Sequence, residues 1–224
     1  MDTESNFFAK YTPKYTNLIK YGFQRTDKSY FFDKVFMNNK FKARIIVSSN
    51  GKVSGKVYDL DFNDEYLTMN IKNHKGDFVS SVRKSYTKIL KDIRDECFIG
   101  NYFVSQQANR ISDIIREKYG NKPIFMWKKF PSDAVFKNPD TGKWYGVIMN
   151  IKRSKIDNKS DEYIDIMNIK LDKTKIQELL HQNGFYPAWH MNKKSWITIV
   201  MDDTLKDNEI INYVDISHSF SLNK

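Results

Sequence analysis

Cysteine is nearly absent from this chain. Cys97 is the single thiol among 224 residues, so an intramolecular disulfide is excluded and a reducing compartment is expected. Its neighbours Ile93 and Phe98 place that thiol on the apolar side of a helix. Long apolar stretches are missing too: no uncharged run approaches the ~18 residues a membrane span needs. The opening Met1-Asp2-Thr3-Glu4-Ser5-Asn6 has neither the basic nor the apolar region of a secretory leader. The expectation is a cytoplasmic protein with no membrane role. None of the nine glycines falls in a Walker or dinucleotide pattern, and H-E-x-x-H, G-x-S-x-G and paired cysteines are lacking. His74, His181, His190 and His218 lack metal-ligand spacing with one another. Ser217 and His218 are adjacent on a helix and point to different sides, which rules them out as nucleophile and base. Asp202-Asp203 reads as the turn after a strand. These absences predict a protein that is not an enzyme and holds no metal or cofactor.

What is present is a basic, aromatic, well-patterned chain. Lys and Arg exceed Asp and Glu by 10, for a sequence pI near 9.4, which favours polyanionic partners through counterion release. The chain is also rich in Lys, Asn and Ile, the signature of an AT-rich genome, and that alone produces a basic balance. The charge is shared: residues 1–100 carry 18 basic against 12 acidic side chains, and residues 101–224 carry 19 against 15. No basic tail stands out. With 40% hydrophobic and 15% aromatic residues, packed cores are expected.

The patterning predicts an α+β fold in two domains, 1–100 and 101–224, separated by a short linker near Gly100-Asn101. In the first, Thr12 and Pro13 predict the start of a helix that Gly22 ends. Strands follow at 29–37, 41–47 and 52–60, turned at Asn38-Asn39 and Asn50-Gly51, with a further strand over 66–71. Phe78, Val82, Tyr86, Ile89, Ile93 and Cys97 then recur at helical spacing. The opposite face of that helix carries Arg83, Lys84, Lys88, Lys91 and Arg94, which suits phosphate tracking or plain solvation. In the second domain a helix is predicted over 105–119, stopped by Gly120. Strands are predicted at 124–128, 134–137, 143–151, 163–171 and 196–201. Asp172 caps a helix that Gly184 ends, and a last helix begins at Asp207. Helices flanking a mostly antiparallel sheet make this half α+β.

From residue 105 onward the chain resembles the MmcQ/YjbR family of small bacterial proteins. The residues that carry the resemblance are Lys129-Phe130-Pro131, Ala134-Val135-Phe136, Lys143-Trp144-Tyr145-Gly146, Pro187-Ala188-Trp189-His190-Met191-Asn192-Lys193-Lys194-Ser195-Trp196 and Ile216-Ser217-His218-Ser219-Phe220. Trp189 stands where members often have Tyr. The resemblance covers about half of the chain and implies a compact fold similar to CyaY or to secretion-chaperone-like domains, with paired β wings. It also implies a DNA-binding label that rests on shape. Residues 1–100 are similar to an amino-terminal extension found in some Gram-positive members.

Two segments suit nucleic acid, with double-stranded DNA the expected partner. Trp189 can stack on a base or sugar, with Lys193 and Lys194 on phosphates and His190 and Asn192 adding hydrogen bonds. The same residues also suit a structural corner, in which His190 and Asn192 tie a turn and Trp189 and Trp196 fill the core edge. The loop holding Lys152, Arg153, Lys155 and Lys159 reads either as a basic wing along a groove or as an ordinary solvated hairpin. Lys128, Lys129, Lys137 and Lys143 add to the same face if their strands are neighbours. The alternative is a chaperone-like or protein-interaction module that holds a protein partner on apolar edges.

Overall fold

The computed structural model describes residues 3–71 and 76–222, and the chain divides into two compact units, Met1–Asn101 and Tyr102–Lys224. The first unit runs α1 (Thr3–Phe7), β1 (Tyr11–Pro13), α2 (Tyr15–Tyr21), β2 (Gln24–Arg25), β3 (Ser29–Phe36), β4 (Phe41–Ser48), β5 (Val53–Asp59), β6 (Asp64–Glu65), α3 (Asp77–Cys97) and β7 (Phe98–Gly100). Strands β2 to β6 form an antiparallel meander in sequence order. In β4, Phe41, Ala43, Ile45 and Val47 are buried and alternate with partly exposed residues, the two-residue period of a sheet with one covered face. They share a core with Val82, Tyr86, Ile89, Leu90, Ile93 and Cys97 of α3. Met37, Asn38, Asn39 and Gly51 take the positive φ that their hairpins require.

Three local expectations in this unit fail. Thr12 and Pro13 lie in β1, paired with Ile99 and Phe98 of β7, and Lys14 precedes α2 instead. The strand expected over 66–71 is a short 3-10 turn, Leu67–Asn70, whose Met69 carbonyl accepts from Arg83 Nε at 2.8 Å. Phe78, expected on the buried face of α3, is exposed, and Val79 takes its place. Arg83 and Arg94 of the expected basic face are engaged locally, Arg94 with Asp95 and with the rings of Phe7 and Tyr11.

The second unit runs α4 (Gln106–Tyr119), β8 (Ala134–Lys137), β9 (Trp144–Lys152), β10 (Tyr163–Lys170), α5 (Lys173–Leu179), β11 (Phe185–Pro187), β12 (Trp196–Val200) and α6 (Asp207–Leu222). Its helix ends follow local chemistry. Ser105 accepts from the Ala108 N–H at the start of α4, Gly120 closes that helix in the left-handed region, and Asp172 accepts from the Lys175 N–H to start α5. Leu180, not Gly184, ends α5. The stretch 124–128 is no strand; it holds one bridge, Ile124 to Val135.

The sheet is antiparallel, in the order β11-β12-β10-β9-β8. One face lies on α4, α5 and α6: Phe136, Ile148, Met167, Ile169, Ile197 and Ile199 join Ile111, Ile115, Ile176 and Ile210 in the main core. The intervening residues, among them Val135, Val147, Met149, Ile166, Trp196 and Val200, point the other way. That second face is roofed by loop segments, not helices.

Candidate functional site

Two segments, with Ile156 of the loop after β9, cover the second face. The first, 124–133, is folded on itself by Phe130 N–H to the Trp127 carbonyl and Asp133 N–H to the Phe130 carbonyl; it is anchored by the Asn150 N–H donating to Asp133 Oδ1 at 3.1 Å. The second, 187–195, contains the Trp189 to Lys194 motif. Its anchor is a pair of polar side chains inside the apolar strands. Asn168 of β10 and Thr198 of β12 are direct cross-strand partners, and both are fully buried. Thr198 Oγ1 donates to Asn168 Oδ1 at 2.5 Å and accepts from the Trp189 N–H at 2.9 Å, while Asn168 Nδ2 donates to the Trp189 carbonyl at 3.1 Å. Both peptide groups of Trp189 are thus held by the sheet, which satisfies two buried polar side chains at the same time. Beyond it His190 takes φ 54°, and the Asn192 carbonyl accepts from the Ser195 and Trp196 N–H groups while its side chain accepts from the Lys194 N–H.

Between the two segments lies a cleft of about 490 Å³, within the range of small-ligand pockets. Trp127, Trp144, Trp189, Phe130, Met149 and Met191 form its apolar walls, with His190 and Asp133 among its polar groups. Trp127 and Trp144 meet edge to face, centroids 5.8 Å apart at 85°. Phe130 of the cleft wall is exposed, as are Phe125 and Met126 of the same segment, with Phe125 beside Tyr102 and Phe103; exposed apolar side chains grouped in this way mark interaction sites. A second groove of about 340 Å³ shares Trp189 and His190 with the cleft and adds Tyr186, Ile156, Lys155 and Lys193.

The expected basic wing differs from expectation. Arg153 turns inward, its Nε 3.2 Å from Asp157 and one terminal nitrogen 2.9 Å from Asp202. Lys159 lies 3.4 Å from Asp157, and Lys152 lies 3.9 Å from Asp161. Asp202 foremost holds the Arg153 guanidinium above its ordinary range. Burial works to raise the Asp157 carboxyl, but the Lys159 N–H and the Arg153 and Lys159 cations outweigh it and hold that carboxyl low. Lys152, Arg153 and Lys159 therefore bind their own loop and the turn after β12. Among the described residues, Lys155 is the cation of this loop without a carboxylate partner. Lys128, Lys129, Lys193 and Lys194 are likewise exposed and without one. Lys137 faces Trp144 across the β8–β9 pair, and Lys143 lies in the turn between those strands.

Of the remaining candidates, Ser217, His218 and Asp203 make local contacts. Ser217 Oγ donates to the Tyr145 carbonyl and accepts from the Lys170 N–H, whereas His218 stacks on Tyr119 at 4.0 Å, and burial pushes its pKa down. Asp203 pairs with Arg110. His74 lies outside the described residues. Among those described, no group of three His, Cys, Asp or Glu could hold a metal ion, and no helix is long and apolar enough to cross a membrane. Reasoning from sequence missed Asn168, Thr198 and Trp127. The available signal was an amide and a hydroxyl in the middle of the apolar runs Ile166-Met167-Asn168-Ile169 and Ile197-Thr198-Ile199.

Residues 116–220 match the YjbR family. YyaQ, an uncharacterised protein of Bacillus subtilis, is 36% identical over 110 residues, which cover 49% of this chain and 92% of YyaQ. A crystal structure of a Pseudomonas syringae protein is 35% identical, with a TM-score of 0.49, over 50% of this chain and 96% of that one. A solution structure from Pseudomonas syringae is 34% identical, with a TM-score of 0.47, over 51% and 91%. With the matching segment spanning nearly all of YyaQ at that identity, the chain belongs to the MmcQ/YjbR family.

Proposed function

We propose that the Tyr102–Lys224 unit is a non-catalytic module that binds nucleic acid through phosphate contacts. The observation that carries this reading is the groove beside Trp189, where Lys155 and Lys193 line one concavity and neither ammonium is neutralised by a carboxylate among the described residues. Lys194 follows Lys193 on the same turn, and Lys128 and Lys129 flank the cleft on the segment that carries Trp127 and Phe130. Five unneutralised cations around an aromatic depression suit a polyanion with flat bases. The ion-paired Arg153, Lys152 and Lys159 contribute less than a free wing would, because each would have to exchange a carboxylate for a phosphate.

Fluorescence anisotropy with labelled oligonucleotides of random sequence tests the reading. Five neutralised phosphates give a log–log salt slope of about −3.5 on single strands and about −4.5 on duplex. No association at low salt refutes it. The exposed Phe130 in the cleft wall favours a second reading, in which the same face holds a protein partner. Binding of that kind would be nearly independent of salt.

A further inference from the structure

Resting on the nucleic-acid reading, we infer that the tryptophan-lined cleft receives an unpaired nucleobase, so that the partner is a single strand or an unstacked nucleotide in place of intact duplex. The cleft is concave, about 490 Å³, and sized like pockets that enclose most of a small ligand, roughly 300–1,000 Å³. Bases within a duplex present only their edges in the grooves, and their faces are covered by neighbouring base pairs. A wall of indole faces can therefore be used only by a base that has left the stack. Trp127 and Trp144 stand at 85° to each other, so a planar group lying on one indole meets the other edge-on, the geometry that aromatic quadrupoles favour.

Charge then selects among flat ligands. Aromatic walls also attract quaternary ammonium groups, but Lys128 and Lys129 adjoin Trp127 in sequence, and Lys155 and Lys193 line the groove that shares Trp189 and His190 with the cleft. Asp133 is the carboxylate among the lining residues, and its Oδ1 accepts from the Asn150 N–H; against it the four ammonium groups leave a net positive surrounding that disfavours a cation and attracts a phosphate attached to a base. Base and phosphate positions are contiguous through Trp189, the one residue whose N–H and carbonyl are both fixed by the buried Asn168–Thr198 pair. The stacking surface is therefore held in place before the ligand arrives.

The chain supplies its own reporter. Its four tryptophans are Trp127, Trp144, Trp189 and Trp196, of which three line the cleft and Trp196 is buried in the cluster beneath it. The experiment titrates the full chain, by intrinsic fluorescence and by anisotropy, with three probes of equal length, roughly ten nucleotides: an oligothymidylate, the same strand annealed to its complement, and an abasic phosphodiester chain. The expected result is quenching by oligothymidylate and binding roughly 5- to 150-fold weaker for the abasic chain, the range for losing one stacked base. Phe130→Ala and Trp127→Ala, with melting temperatures recorded alongside, should weaken oligothymidylate binding while leaving abasic-chain binding unchanged. Equal affinity for all three probes without quenching overturns the cleft assignment and leaves phosphate binding standing. So does a Phe130→Ala variant that melts like the parent and binds oligothymidylate equally well. Failure of every probe to bind at low salt removes the nucleic-acid reading itself.

Discussion

Thr198→Val isolates the hydroxyl that holds the Trp189 segment to the sheet. Valine keeps the volume and the β-branch, so strand propensity is preserved. What disappears is one atom with two bonds: the Trp189 N–H loses its acceptor and Asn168 Oδ1 loses its donor. Leaving a buried polar group unpaired costs about 1–3 kcal/mol each, and the new methyl returns about 0.8 kcal/mol of burial. The net loss is about 1–5 kcal/mol. For a unit the size of Tyr102–Lys224 the unfolding entropy corresponds to roughly 0.26 kcal/mol per degree, so the melting temperature should fall by roughly 5–20 °C. Tryptophan fluorescence is the suitable assay, because every tryptophan lies in this unit and the Met1–Asn101 unit is silent. Thr198→Ser retains the bonds, loses a methyl and should fall by only roughly 3 °C. A valine variant that melts within a degree or two of the parent would show that the corner is held by apolar packing alone.

Gly55→Ala should destabilise the Met1–Asn101 unit by about 1–3 kcal/mol, read as a circular-dichroism transition with the tryptophan melt unchanged. An added Cβ would collide with the Tyr86 hydroxyl, which donates to Glu4 at 2.6 Å in the interior. Cys97 is buried, and burial pushes its thiol up to about 11, so a thiol-specific reagent near neutral pH should label it only when that unit unfolds; rapid labelling of the native protein contradicts this. Arg110 above all holds Asp207 below the usual carboxylate range, at 2.6 Å between α4 and α6. A carboxyl depressed in the folded state stabilises above its unfolded pKa near 3.9, and that contribution is lost as the pH falls through the folded value. The tryptophan melting temperature should therefore drop on acidification below about pH 4, and less steeply in Asp207→Asn; identical pH profiles would refute the assignment.

Elements specified by adjacent residues were legible in the sequence. Ser105 and Gly120 bound α4, Asp172 starts α5, and the Asn-Gly turn joins β4 to β5, each through bonds made within a few residues. Where a distant partner decides the conformation, the local signal misled. Thr12-Pro13 looks like a helix start, but the segment pairs with Phe98–Gly100 far along the chain, and the ladder prevails over the cap. The charges of the 152–161 loop counted as a basic wing because sequence shows cations without their partners, and Asp202, which captures Arg153, lies 49 residues away. The corner reading of the Trp189 segment was legible: the Trp189 backbone and the Asn192 side chain are tied into the turn. The cleft was not, since it requires Trp127, Trp144 and Trp189 to converge from three separate segments.

On the proposed reading, phosphates are bound at the groove holding Lys155 and Lys193. The most direct measurement compares the log–log salt slope of oligonucleotide affinity for the parent chain and for Lys155→Gln/Lys193→Gln. Each lost phosphate contact lowers the slope by about 0.7 on a single strand. The double variant should melt like the parent, bind more weakly at low salt and have a slope shallower by about 1.4. An unchanged slope and affinity would contradict that reading.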